Sequence, residues 1–550
     1  VLRETVGHLR DLPRYRQILA TLIRYGYKDV VAALHLEGLV RPIEKVALRD
    51  AIPPRERPRR LRLICEDLGP SFVKLGQLLS TRPDLLPEAY TSELAALRDE
   101  VKPFPFAEAR SILETEWGRP LSEVLESIDE TPVASASISQ VHRAVLPGGQ
   151  VIAIKIRRPG IEKVVQSDLD ILKNLTQLAE RRLPALAPYQ PMLLVREFER
   201  SIKRELDLGI ERHTMERCRR QLRRETHAHV PEALPELSTD RVLCMEFITG
   251  VRVDDLAGIE ALGASPPEVA RRGARILLTQ IFRFGFFHAD PHPGNLRVLP
   301  GGIIAPLDYG LFGQIDARTR ERIADLLLGL MAADTDRVLR TLDALDVRGE
   351  DVDDRALTRD VGELVAAYSE LSLDSIDLVR LLRQLVSLIR THRLHIPPDL
   401  VLLIRSLVTI ESVGRTLDPH FDIAAQLEPF LRDLTFERLR PRRLAAQTIR
   451  TADDLRRIAT LLPDVLGQSL ESIKRGELNV KFDVQHFELL VDRLTRSSYT
   501  LTAGIIIAGL LVGSSMVVQS GSKIVNLGIA GYAVAGAMGL WLLFNILRGR

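Results

Sequence analysis

The sequence predicts an α+β protein of two lobes that ends in a pair of membrane helices. Three observations carry this. A strand-rich region around residues 130–160, joined by Arg241–Phe247, is followed by helical periodicity from Asp308 to about residue 475, the order expected when strands and helices segregate. At 550 residues the chain exceeds the ~250–300 at which one hydrophobic core stops growing, so several units are expected. Finally, Ser497–Ser522 and Ile524–Leu547 hold no charged residue, with Lys523 alone between them.

The charge balance is 75 Lys+Arg against 73 Asp+Glu. It leaves no global basic field, and the 5% aromatic content leaves few platforms for base stacking, so nucleic acid is excluded as a partner. Cys65, Cys218 and Cys244 are far apart and form no CxxC pair. That argues for a reducing compartment, without a disulfide framework or structural zinc. The apolar stretch Ile18–Ile23 is short and hemmed in by Arg16 and Arg24, so no signal peptide is expected.

In order along the chain, residues 1–120 read as a helical extension cut by Pro42, Pro53, Pro54, Pro103 and Pro105. Residues 121–247 read as the strand-bearing lobe. Gly148-Gly149 is a turn before the β-branched run Val151–Ile156, which makes a hairpin, and residues 165–225 are helical. Residues 248–475 read as a helical lobe, with helices over Ala270–Arg283, Arg318–Ala332 and Leu400–Val413 and a strand over Gly302–Leu307. Residues 497–547 form the hairpin. Each half exceeds the ~20 residues that cross a bilayer core. Gly509 and Gly513, then Gly531, Ala535 and Gly539, make small-residue stripes suited to close helix packing. Arg493, Arg496, Arg548 and Arg550 outside the spans place both flanks, and the large domain, on the cytoplasmic side.

The chemistry concentrates in His288-Ala289-Asp290-Pro291-His292-Pro293-Gly294-Asn295, followed by Asp308-Tyr309-Gly310. An Asp can orient an attacking hydroxyl, while an Asn and a second Asp offer hard oxygen ligands to Mg²⁺. Asp290, Asn295 and Asp308 supply that set. Taken alone, the string equally suits a metal site of His288, Asp290 and His292. Its setting, between an apolar run and a strand ahead of Asp308-Tyr309-Gly310, follows the order of the kinase catalytic and metal-binding motifs. Upstream, Val151-Ile152-Ala153-Ile154-Lys155 is similar to the kinase strand whose lysine meets the α/β-phosphates. The turn before it, Ala134-Ser135-Ala136-Ser137-Ile138-Ser139, has no glycine and should be stiffer than a glycine-rich loop.

Taken with Lys74-Leu75-Gly76-Gln77, Ser139-Gln140-Val141-His142 and Glu205-Leu206-Asp207, these motifs make the chain resemble the UbiB/ADCK family of atypical protein-kinase-like proteins, in its bacterial branch with a membrane hairpin. The resemblance implies a bilobal kinase-like fold that binds ATP and Mg²⁺. It implies Lys155 and Asp290 as catalytic residues and Asn295 and Asp308 as metal ligands. Ala134, Ser135, Ala136 and Ser137 would lie at the nucleotide, with Met245, Glu246 and Phe247 at adenine. Lys74 and Gln77, with Thr81 on the same helical face, would cover the nucleotide together with Glu205 and Asp207. The partner of Lys155 is Glu205 or Glu211; the sequence leaves both open. The implied role is support of isoprenoid-quinone (ubiquinone-type) biosynthesis at the bacterial cytoplasmic membrane. The implied partners are membrane lipids, quinone precursors and other quinone-biosynthesis proteins. A nucleotide-binding lipid scaffold with incidental hydrolysis is the alternative. Ala289 and His292 replace the Arg and Lys of a protein-kinase loop, and no A-P-E follows Gly310, so phosphorylation of other proteins is not expected.

Overall fold

Proline and glycine cut the first hundred residues into short helices, and a β-branched run then opens a sheet; both are seen in the computed structural model of the chain. The structure describes residues 12–36, 56–82, 85–97, 101–183, 190–345, 352–368 and 378–438, with brief interruptions, and short helical pieces between 509 and 541. The chain divides into two compact units, residues 1–443 and 444–550.

Helices of eight residues or more are numbered in chain order. In the first unit α1 (Leu12–Arg24), α2 (Arg57–Leu68), α3 (Pro70–Ser80) and α4 (Glu88–Ala95) share a core of Tyr15, Ile18, Leu19, Ile64, Phe72 and Leu94. Gly76 permits the tight seat of α3: a Cβ there would run into Leu97 and stand 3.2 Å from Cys65 Sγ. After α5 (Phe106–Trp117) come β1 (Ser127–Ile128), β2 (Ala134–Ser135), β3 (Ser139–Val145), β4 (Val151–Arg157) and, later, β5 (Val242–Glu246). The antiparallel order is β1-β3-β4-β5, with β2 also pairing β3. Val141, Lys155 and Leu243 are in register across the three main strands. Alternation along β4 buries Ile152, Ile154 and Ile156 in the core beneath α5, and so turns Ala153 and Lys155 to the other face.

Between β4 and β5 lie α6 (Ile161–Arg182), α7 (Pro191–Leu206) and α8 (Leu208–Leu222). Ile171 of α6 joins the core of the first four helices and so docks them on this lobe. The second lobe contains β6 (Val251–Arg252), α9 (Pro266–Leu278), β7 (Phe286–His288), β8 (Leu296–Leu299), β9 (Ile303–Pro306) and β10 (Phe312–Gln314). Here β10 pairs β7, and β6, β8 and β9 form a second small sheet. The helices α10 (Ala317–Met331), α11 (Thr335–Ala344), α12 (Asp354–Tyr368), α13 (Leu378–Thr391), α14 (Pro398–Leu417) and α15 (Ile423–Arg438) complete it, with α14 against α9.

The helix expected over Ala270–Arg283 starts earlier, at Pro266, because proline suits a first helical turn. It then widens into a π-helical turn, Thr279–Phe284, and stops at left-handed Gly285. Of the helical lobe expected to residue 475, the part beyond 438 lies outside the described residues.

In the second unit, residues 509–512 and 533–541 are helical. A Cβ on Gly531 would strike the Ser514 side chain, and Ala535 is buried, whereas Leu511, Val512, Leu540 and Trp541 are exposed. Small residues are thus inside and large apolar ones outside. No helix among the described residues is long and apolar enough to cross a membrane. The spans expected at 497–522 and 524–547 lie largely outside those residues.

Candidate functional site

A cleft of about 1590 Å³ separates the two lobes of the first unit. Its charged centre starts with Lys155. With Ile154 and Ile156 anchored below the sheet, Lys155 projects into the cleft and donates to both carboxylate oxygens of Glu211, each at 2.8 Å. Asp308 Oδ1 stands 3.6 Å from the same ammonium. Burial pulls the Lys155 pKa down, but Glu211 and Asp308 outweigh it and hold the ammonium above its ordinary value. Burial pushes Asp308 up; Lys155 and His288 pull harder the other way, so its carboxyl sits well below the usual range.

The partner left open between Glu205 and Glu211 is therefore Glu211. The two glutamates sit on different helices because the chain breaks at Asp207. Its carboxylate accepts from the Gly209 N–H at 2.9 Å and caps α8, the helix carrying Glu211. Glu205, at the end of α7, pairs with Lys74 of α3. Gln77 donates to the Leu97 carbonyl at 3.4 Å, and Lys74, Gln77 and Thr81 all line the cleft from one helical face. Asp207, expected as part of this cover, caps α8 through one carboxylate oxygen and is not among the residues that line the cleft.

The His288–Asn295 string is braced by its own backbone. The Asp290 N–H donates to His288 Nδ1 at 3.1 Å, and the His292 N–H to the Asp290 carbonyl at 2.8 Å. His292 Nδ1 accepts from the Gly294 N–H at 3.0 Å. Asn295 Nδ2 lies 3.5 Å from Asp308 Oδ2 and from the Asp290 carbonyl. This brings an amide and a carboxylate together beside Lys155, a hard oxygen set that fits Mg²⁺. The rival metal site is not formed. His288 is buried against Phe312, His292 turns onto its own loop, and no three His, Cys, Asp or Glu side chains gather as a metal site among the described residues.

Ala134, Ser135 and Ala136 line the cleft roof. Ser137, expected beside them, is fully buried, because the Ala136 N–H donates to the Ser139 carbonyl at 2.7 Å and folds the turn inward. Arg158 fastens this turn through the Ser135 hydroxyl and the Ala136 carbonyl. Gln140 and His142 are buried in contact with one another and hold Phe104 and Asp129, whereas Ser139 and Val141 of the same motif line the cleft. Met245, Glu246 and Phe247 line the far end. The N–H groups of Glu246 and Phe247 are spent on the carbonyls of Glu232 and Val151, so the lining continues to Ile248 and Thr249, which sequence reading did not include.

Two charged cleft residues were missed altogether, Arg297, which donates to the Gly294 and Leu296 carbonyls, and Arg405. Arg405, on α14, donates to Asp290 Oδ2 at 2.8 Å. Its only signal in the sequence is that it is the sole charge in the apolar run Leu400–Ile410. The same helix lines the cleft with Ile404 and Val408, opposite Leu78, Phe198 and Ile202 of α3 and α7.

Comparison with known proteins agrees with this layout. Residues 96–342 match the model of the ABC1 atypical kinase-like domain, 361–422 the UbiB helical domain, and 485–548 the ABC1/UbiB kinase-like C-terminal domain. A "Probable protein kinase UbiB" of Xanthomonas campestris is 32% identical over 92% of this chain and 93% of its own. An uncharacterized Clostridium pasteurianum protein, encoded in the hydrogenase 1 5′ region, is 28% identical over 97% of this chain and 98% of its own. A Mycobacterium tuberculosis protein solved with erythromycin aligns with TM-score 0.46 and 23% identity, covering 64% of this chain and 90% of that one.

Proposed function

The chain belongs to the UbiB/ADCK family of atypical kinase-like proteins, and from that premise and the cleft geometry we propose that it is an ATP- and Mg²⁺-dependent phosphoryl-transfer enzyme or ATPase that supports isoprenoid-quinone biosynthesis at a membrane. The observation that carries the reading is the convergence of Lys155, Glu211, Asp308, Asn295 and Asp290 in one cleft. Lys155, oriented by Glu211, binds the α/β-phosphates. Asn295 and Asp308 would hold Mg²⁺, which supplies charge neutralisation on the phosphates when bound. Asp290 orients the attacking oxygen and accepts its proton. Ala134–Ala136 cover the phosphates, and the edge from Met245 to Thr249 takes the adenine.

The acceptor follows from the rest of the cleft. Ordinary ligand pockets hold ~300–1000 Å³. The volume here exceeds that, and Phe198, Ile202, Ile404 and Val408 form an apolar part of its wall. Such a wall suits an apolar molecule, a lipid intermediate or quinone precursor, better than a peptide. The segment after Gly310 leaves little room for a peptide platform, because α10 begins at Ala317. The inverted packing of the described residues between 509 and 541, small inside and large apolar outside, supports anchoring by a C-terminal hairpin.

The test is ATP turnover of the full chain with anionic lipid vesicles, against Asp290→Asn, together with quinone profiling of a deletion strain carrying either form. The expected result is a loss of turnover by at least ~100-fold, as for removal of a general base, with quinone restored only by the wild type. Equal complementation by both forms supports the scaffold reading instead.

A further inference from the structure

The carboxylate of Asp290 is engaged by a residue that neither the sheet nor the catalytic loop supplies. Arg405 sits midway along α14, where Leu403, Leu407 and Ile410 anchor the helix in the core of the second lobe. A packed helix, rather than a loop, therefore sets the position of the guanidinium. The other lysines and arginine lining the cleft are committed elsewhere: Lys155 to Glu211 and Asp308, Lys74 to Glu205, and Arg297 to the Gly294 and Leu296 carbonyls. His292 holds the position two residues past Asp290, from which a kinase loop lysine supports the transferred phosphoryl. Its ring instead accepts from Gly294 and braces the turn Pro293–Asn295.

Resting on the reading of the cleft as a phosphoryl-transfer site, we propose that Arg405 contacts the transferring phosphoryl group. It is held on Asp290 without nucleotide and engages the terminal phosphate of ATP when that is bound. A base must lie within hydrogen-bond reach of the attacking oxygen, itself ~3–3.5 Å from phosphorus in a productive complex. A donor 2.8 Å from Asp290 Oδ2 is thus one side-chain reorientation from the phosphoryl oxygens. The planar guanidinium fork suits carboxylate and phosphate alike, and charge gathering on the phosphoryl oxygens is the stronger draw. The same movement frees an Asp290 oxygen for the acceptor, so nucleotide arrival and base availability are coupled. Transfer forms the acceptor O–P bond, breaks the bond from phosphorus to the bridging oxygen of ADP and leaves the acceptor proton on Asp290. Arg405 stays protonated throughout.

The experiment uses the full-length protein and its Arg405→Gln and Arg405→Lys variants. MgADP binding and MgADP–fluoroaluminate binding are measured by titration calorimetry, beside ATP turnover and thermal melting. Arg405→Gln is expected to keep MgADP affinity within about twofold while losing turnover and fluoroaluminate affinity by at least ~100-fold, below the 10³–10⁵ that arginine fingers supply in trans. Arg405→Lys recovers part of the loss. Variants that lose MgADP affinity and melting temperature together assign Arg405 a structural role and overturn the proposal. So does Arg405→Gln turnover equal to wild type, which leaves the site reading intact. A wild type that binds neither nucleotide removes the site reading and this inference with it.

Discussion

Lys155 shows how one side chain ties the sheet to the second lobe. It is largely buried, and its ammonium meets Glu211 at 2.8 Å and Asp308 at 3.6 Å. A buried ion pair adds little net stability when complete, but breaking it strands a charge and costs about 3–5 kcal/mol. Glu211→Gln is therefore expected to lower stability by about 3 kcal/mol, while Glu205→Gln, whose partner is Lys74, leaves this pair whole. Adding Lys155→Met to Glu211→Gln should recover only part of the loss, because no cation is then left against an amide but Asp308 loses its ammonium partner. Melting of the wild type, of Glu211→Gln, Lys155→Met and Glu205→Gln singly, and of the double variant checks this; an additive double mutant would show that Lys155 and Glu211 do not act as a pair.

At the element scale, the site depends on where helices stop. The helix α9 must end for β7 to begin, and β7 leads directly into Asp290. Gly285 makes that stop with φ +64°, and a Cβ there would run into the Ile315 carbonyl, whose own N–H donates to the Gly285 carbonyl at 2.8 Å. Gly285→Ala should cost at least about 1–2 kcal/mol from the left-handed backbone alone, with the clash added. Gly285→Asn tolerates the backbone conformation better but meets the same carbonyl, so both variants should melt below wild type. An Asn variant melting with the wild type would remove the clash from the account. The motifs on single elements were legible in the sequence: the β-branched run set Lys155, the Asp290 string set its loop, and Lys74, Gln77 and Thr81 shared one helical face. What was not legible depended on contacts between elements. The Glu205 or Glu211 choice needed the break at Asp207, the burial of Ser137 needed the fold of its turn, and Arg405 needed α14 laid across the cleft.

At the scale of the molecule, charge and apolar surface are separated. The first unit, residues 1–443, buries its apolar side chains in several cores and lines a cleft with ions. The described parts of the second unit reverse the pattern, with Ala535 and Ser514 inside and Val512, Leu540 and Trp541 outside. Exposed contiguous apolar surface is unfavourable in water and neutral in lipid, where close contact of small residues drives helix pairing. The full chain is thus expected to stay with membranes after an alkaline carbonate wash, and a chain ending at Arg443 to be released. Replacing Gly531 by Leu should displace the Ser514 side chain without releasing the chain, if contact with lipid rather than this packing is what retains it. Release of the full chain by carbonate would count against anchoring by residues 497–547. Retention of the shortened chain would move the membrane contact into the kinase-like unit, where the apolar wall of the cleft would be the first surface to alter.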